Sequence, residues 1–86
     1  MAKEKEINPV LAFRRELGIT QTALAQFISA MSGLEITGAA ISNYELNKRV
    51  PSRLIVKQMI RLAKSYKINL NYDGIYKYYD NVSKED

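Results

Sequence analysis

Start and stop signals for helices recur along this chain at short intervals, and that punctuation restricts the fold more than any other feature. Asn8-Pro9 opens the first helix, with Asn as N-cap and Pro at the first helical position. Val10, Phe13 and Leu17 follow at helical spacing, and Gly18 stops the segment. Thr20 caps a second helix from Gln21, whose apolar positions are Leu24, Ala25, Phe27, Ile28 and Met31; Ser32-Gly33 ends it. Leu34-Glu35-Ile36 is a connector, and Thr37 caps a short third helix from Gly38 to about Leu46. Asn47, a residue that tolerates left-handed backbone, follows it, and Lys48 to Val50 form a loop. Pro51-Ser52 starts a longer fourth helix to about Tyr66, and a Tyr-rich fifth element spans Asn71 to Tyr79. No alternating strand pattern interrupts this series, so the expected fold class is all-α, four to five helices in one domain over residues 8–79. Residues 1–7 read as a disordered polar lead and residues 80–86 as a frayed tail.

The charges are unevenly placed. Lys48, Arg49, Arg53, Lys57, Arg61, Lys64 and Lys67 fall in one quarter of the chain, and no Asp or Glu lies between Glu45 and Asp73. At about 100° per residue, Arg53, Lys57, Arg61 and Lys64 form one stripe of the fourth helix, roughly 80° wide. Ile55, Met59, Leu62, Ala63 and Tyr66 fall on the opposite side, the face to bury. An unopposed basic stripe suits a polyanion, and it equally suits a solubilising surface.

Composition removes several chemistries. The chain has no Cys and no His, so it lacks disulfides, thiolate metal sites and the commonest general base. Its carboxylates form no pair at catalytic spacing, so neither a catalytic residue nor a cofactor or metal is expected. No apolar run approaches the roughly 20 residues of a membrane span. The charged start, Met-Ala-Lys-Glu-Lys-Glu, lacks a signal-peptide core, and a cytoplasmic setting is expected.

Three stretches recur in a meaningful order: Leu17-Gly18-Ile19-Thr20-Gln21 followed by Leu24-Ala25; Ile41-Ser42-Asn43-Tyr44-Glu45; and Asn47-Lys48-Arg49-Val50-Pro51-Ser52. Together, over about residues 9–79, they resemble the lambda-repressor-like family of helix-turn-helix DNA-binding regulators. Ala25 is small enough for the third helix to cross close to the second, and Leu24, Ile28 and Ile41 supply the seam. The resemblance makes the third helix the recognition helix, with Gly38, Ala39, Ala40, Ser42 and Asn43 as base-reading candidates. An Asn amide can pair bidentately with adenine, Ser can donate or accept, Ala methyls can pack on thymine methyls, and Gly38 permits close backbone approach. Buried Ala is common, so Ala40 serves packing equally well.

Gln21, Thr22, Thr37, Asn47, Lys48, Arg49 and Arg53 are the phosphate candidates. Gln21 begins a helix whose free N–H groups suit an anion, and Lys48 and Arg49 lie in a loop that in the family runs beside the DNA backbone. The family also pairs an Arg of the first helix with a Glu ending the recognition helix, here Arg14 and Glu45. That pair would leave the Arg partly free for a phosphate. Two features depart from the family: about six extra residues between the second and third helices, Ala30 to Ile36, and a fourth helix almost one turn longer. The extra residues either lengthen the second helix or widen the turn, and Glu35 is expected to point away from phosphate.

These readings make the chain a sequence-specific transcriptional regulator, a repressor of phage or plasmid type, with double-stranded DNA as partner. A homodimer through Ile75, Tyr76 and Tyr79 fits the aromatic density of the fifth element; the alternative is that some of these residues, Ile75 and Tyr79 first, close the domain's own core. No small-molecule ligand is evident. The alternative is a protein-binding helix-turn-helix module, an antitoxin or adaptor, whose basic surface meets an acidic protein.

Overall fold

The computed structural model describes residues 7–83. Among them are five helices and no strand: α1 (Pro9–Leu17), α2 (Gln21–Ser32), α3 (Gly38–Glu45), α4 (Arg53–Ser65) and α5 (Tyr72–Ser83). Each of the first four begins at a side chain that satisfies free backbone N–H groups. Asn8 Oδ1 accepts from Val10 N and Leu11 N, and Thr20, Thr37 and Ser52 accept from the third residue of their helices. Asn71 Oδ1 accepts from Gly74 N at 2.7 Å at the start of α5. The stops are equally local: Gly18, Gly33 and Asn47 all take left-handed backbone. Lys67 does so too, past the end of α4, an unmarked stop that its residue type does not favour.

One core joins the five helices. α2 packs on α3 and α4, α1 on α3 and α5, and α4 on α5. Val10, Phe13, Leu24, Ala25, Ile28, Ile41, Ile55, Met59, Leu62, Ala63, Ile75 and Tyr79 are buried, and Val56, unassigned from the sequence pattern, is fully enclosed with them. No helix among the described residues is long and apolar enough to cross a membrane.

The structure departs from expectation in three places. Tyr66, placed on the buried face of the fourth helix, is 58% exposed because α4 ends at Ser65 and the chain turns away there. Phe27 lies outside the core and is exposed. α5 continues through Asp80 to Ser83, so the frayed tail does not begin at residue 80; residues 1–6 of the lead and 84–86 of the tail lie outside the described residues. The extra residues between α2 and α3 do both things that were open to them. α2 extends to Ser32, and a turn then returns to Thr37. Ser29 Oγ donates to the Ile36 carbonyl at 3.1 Å and accepts from Ile36 N at 2.9 Å, pinning that turn to the last part of α2.

Ile41 tests the seam between α2 and α3, being fully buried where the two helices meet. Ile41→Ala is expected to lower unfolding free energy by about 2–5 kcal/mol. Urea denaturation followed by far-ultraviolet circular dichroism measures this; a loss under about 1 kcal/mol would contradict a close-packed seam.

Candidate nucleic-acid interface

α3 divides its surface cleanly. Ile41 and Tyr44 face the core, while Ala39, Ser42, Asn43 and Leu46 share the opposite side at about 100° per residue. Ala39 is exposed, and Ser42 and Asn43 are half-buried at the helix flanks. Among the described residues neither the Ser42 nor the Asn43 side chain makes a hydrogen bond within the chain, so their polar atoms are available to an outside partner. Leu46, 60% exposed on the same face, was missed from the sequence, where it read only as the helix end.

Two of the five base-reading candidates serve packing. Ala40 is half-buried against the core. At Gly38 the close backbone approach is made to the protein itself: a Cβ there would lie 3.0 Å from Thr22 Oγ1 and 3.5 Å from Thr22 Cα. Glycine lets the start of α3 sit against the start of α2.

The C-terminal end of α3 is held by two sets of contacts. On one side the structure brings Arg14 and Glu45 together. Arg14 Nε donates to Glu45 Oε2 at 2.6 Å and Nη2 to Oε1 at 3.1 Å, a bidentate pair. Arg14 Nη1 donates to the Ile19 carbonyl at 3.0 Å, and Gln21 Nε2 donates to Glu45 Oε1 at 2.9 Å. Burial disfavours the Glu45 charge, but the hydrogen bonds from Arg14 and Gln21, with the charges of Arg14 and Arg15, outweigh it and hold the carboxyl below its ordinary range. Each guanidinium nitrogen of Arg14 thus makes one hydrogen bond inside the protein, and one N–H on each of Nη1 and Nη2 has no partner among the described residues. Gln21 likewise directs its amide N–H at Glu45.

On the other side Asn8, buried beneath the start of α1, donates from Nδ2 to the Tyr44 carbonyl at 2.8 Å and to Asn47 Oδ1 at 2.9 Å. Tyr79 Oη donates to the same Tyr44 carbonyl at 2.7 Å, and Tyr78 Oη donates to Asn47 Oδ1 at 3.1 Å. A helix end leaves its last carbonyls without partners; here α1 and α5 supply them. Burial pushes the Tyr79 hydroxyl up to about 12, against the lowering effect of the hydrogen bond it accepts from Asn8 Nδ2 at 3.3 Å. Tyr76 Oη donates to the Pro51 carbonyl at 2.9 Å.

The phosphate candidates therefore stand in different positions. Lys48 and Arg49 are exposed, with their backbone N–H groups donating to the Asn43 carbonyl at 2.9 and 3.3 Å. Neither is in an ion pair among the described residues; Arg14–Glu45 is the one such pair there. Asn47 uses its carbonyl oxygen internally. Thr37 accepts from Ala40 N as a cap, and Thr22 is exposed beside Gly38. The Arg53 guanidinium sits 4.8 Å over the Tyr72 ring, so it ties α4 to α5 as well as facing solvent. Of the three residues named for a dimer interface, Ile75 and Tyr79 lie in the core, the alternative reading for them, and Tyr76 is half-buried with its hydroxyl bonded to Pro51. Among the described residues no cluster of three or more carboxylates, thiols or imidazoles is placed to hold a metal ion. Comparison of the chain with protein-family models, curated proteins and solved structures found no match.

Arg14→Ala should lower thermal stability, since it strands a carboxylate that is 6% exposed. A double-mutant cycle with Glu45→Ala is expected to give a coupling on the order of 0.5–3 kcal/mol, and additive losses would contradict the bidentate contact. The Tyr79 hydroxyl makes an alkaline prediction. Its pKa is raised from 10.0 to about 12 on folding, so the folded state keeps the proton longer than the unfolded chain. That stabilisation is complete below about pH 10 and is lost as pH climbs to about 12. Burial raises Tyr76 as well, in the same direction. Tyr79→Phe should remove roughly 2–3 kcal/mol of the stability decline across this window, read from urea midpoints at successive pH values. An unchanged decline would place Tyr79 outside the core.

Proposed function

We propose that this chain is a sequence-specific DNA-binding regulator of lambda-repressor-like type, a cytoplasmic repressor that inserts α3 into the major groove. The observation that carries the reading is the outward side of α3. It is uncharged and, up to Leu46, made of small side chains, keeps the Ser42 and Asn43 polar atoms free, and runs straight into the exposed cations Lys48 and Arg49. A groove roughly 12 Å wide admits a helix whose outer side chains are this small. Cations beside that helix, rather than on it, suit phosphates at the groove edge, where they supply affinity and register without reading sequence. Asn43 is the base reader in this proposal, Ser42 and Ala39 are its neighbours, and Leu46 adds an apolar contact of the kind a thymine methyl accepts.

A specific observation favours the second reading, a module that docks on an acidic protein. Leu46, Val50 and Leu54 are exposed along the same stretch as Lys48, Arg49 and Arg53, a mixture of apolar and basic groups. The number of ions released on binding separates the two. A duplex backbone yields a steep salt dependence for any sequence, whereas an apolar protein contact keeps most of its affinity in salt.

Binding-site selection from random duplexes, repeated at several salt concentrations, tests the proposal. Wild-type protein should return a consensus, and two half-sites one helical turn apart would report binding as a pair. The Lys48→Glu, Arg49→Glu double variant should weaken binding to all sequences about equally and flatten the salt slope by roughly 2. Asn43→Ala should cost roughly 1–3 kcal/mol at the preferred base and relax one position of the consensus. An unchanged consensus with uniformly weaker binding would remove Asn43 as the reader, and a flat salt response in the wild type would remove DNA as the partner.

A further inference from the structure

We propose that Tyr78 and Asn8 are positioning residues for the Lys48–Arg49 loop, so that α5 and the start of α1 set how strongly the loop engages phosphate. The inference rests on the DNA-binding reading above and adds residues outside the interface that control it.

The loop leaves α3 through Asn47, a non-glycine residue with φ of 65°. Asparagine tolerates this left-handed backbone because its short polar side chain can hydrogen-bond there, so what its side chain bonds to decides how firmly the turn is held. Part of the hold is local: Lys48 N and Arg49 N both donate back to the Asn43 carbonyl. The rest comes from remote parts of the chain. Asn47 Oδ1 accepts from Asn8 Nδ2, 39 residues away, and from Tyr78 Oη, 31 residues away. Both acceptor directions of that oxygen are filled, which fixes the Asn47 side chain and with it the exit of the chain from α3.

The two donors are themselves held firmly. Asn8 is buried, with its own oxygen accepting from Val10 N and Leu11 N, so its amide cannot turn without uncapping α1. Tyr78 packs edge-on against Tyr79, ring centres 5.3 Å apart, and Tyr79 is anchored on the Tyr44 carbonyl. A cation on a wandering loop loses conformational freedom when it meets a phosphate; one on a fixed loop has already lost most of it. Tyr78 touches no base or phosphate in this scheme. It acts through Asn47.

Tyr78→Phe removes one hydroxyl, keeps the ring, and tests the link. Asn8→Ser is the second variant: it retains a capping oxygen and loses the Nδ2 donor. Thermal melts confirm that both fold. Amide exchange of the protein without DNA is measured first. Exchange at Lys48 and Arg49 should quicken roughly fivefold in Tyr78→Phe, as loss of one neutral hydrogen bond implies, with core amides of α2 unchanged. DNA titration follows. Affinity at low salt should fall roughly fivefold for every duplex, with a shallower salt slope and an unaltered consensus. In the Lys48→Glu, Arg49→Glu background the Tyr78 effect should vanish, which a purely structural role would not produce.

Unchanged exchange at Lys48 and Arg49 would overturn the positioning role whatever the DNA result. Quicker exchange with an unaltered salt slope would overturn it too, by showing that loop order does not govern phosphate contact. Wild-type protein with no salt-dependent affinity for DNA would overturn the underlying function, an outcome distinguishable because the exchange data need no DNA.

Discussion

An eight-residue helix cannot hold itself together in water. It closes too few internal hydrogen bonds to offset the ordering of its backbone, and isolated helices need roughly 12–15 residues before they become even marginal. α3 is such a helix, and only its Ile41–Tyr44 side is buried in the chain. Much of the surrounding structure can be understood as a response to that constraint. Thr37 caps its start, and Gly38 lets that start rest on Thr22. Its far end is gripped twice, by Arg14 and Gln21 on Glu45 and by Asn8 and Tyr79 on the Tyr44 carbonyl. Support from α1, α2 and α5 converges on a helix of little more than two turns.

This arrangement also decides where charge can be used. Glu45 near a helix C-terminus opposes the helix dipole and needs compensation. Arg14 and Gln21 provide it, which commits three of Arg14's N–H groups and one of Gln21's to the scaffold. The pair is largely shielded from solvent, so its value lies in geometry more than in net energy: removing one partner is costly, while the intact pair roughly balances its own desolvation. Among the cations without an ion pair in the described residues, those of the loop and of α4 lie beside the outward side of α3 and not on it. A neutral helix edged by positive charge results from spending the nearer charges on the scaffold.

Much of the local structure was legible in the residues. Asn8-Pro9, Thr20, Thr37 and Ser52 announce helix starts because a short polar side chain next to an apolar repeat has few better uses. Gly18, Gly33 and Asn47 announce stops because left-handed backbone is selective for residue type. The stop at Lys67 was invisible for the same reason, since nothing about a lysine signals left-handed backbone; Tyr66 was consequently assigned to a face it does not reach. The pairing of Arg14 with Glu45 was readable through family resemblance, since 31 residues separate them and spacing says nothing about their contact. The double role of Ser29 and the roles of Tyr78 and Asn47 left no trace in periodicity, because a single side-chain hydrogen bond has no repeat.

The sequence by itself determined that the chain is helical, where four of the five helices begin, most of the core residues of each, and that its positive charge is concentrated after the third helix. These are properties of neighbours within a few residues: cap chemistry, backbone preference and the helical repeat act over one or two turns. Only the tertiary structure decided which polar groups remained free. Whether Arg14, Gln21, Asn47, Ile75 and Tyr79 face a partner or the protein's own interior depends on what lies opposite them once the helices pack. A hydrogen bond between residues 35 or 39 positions apart, such as those from Tyr79 and Asn8, is set by the crossing of elements and not by any local preference.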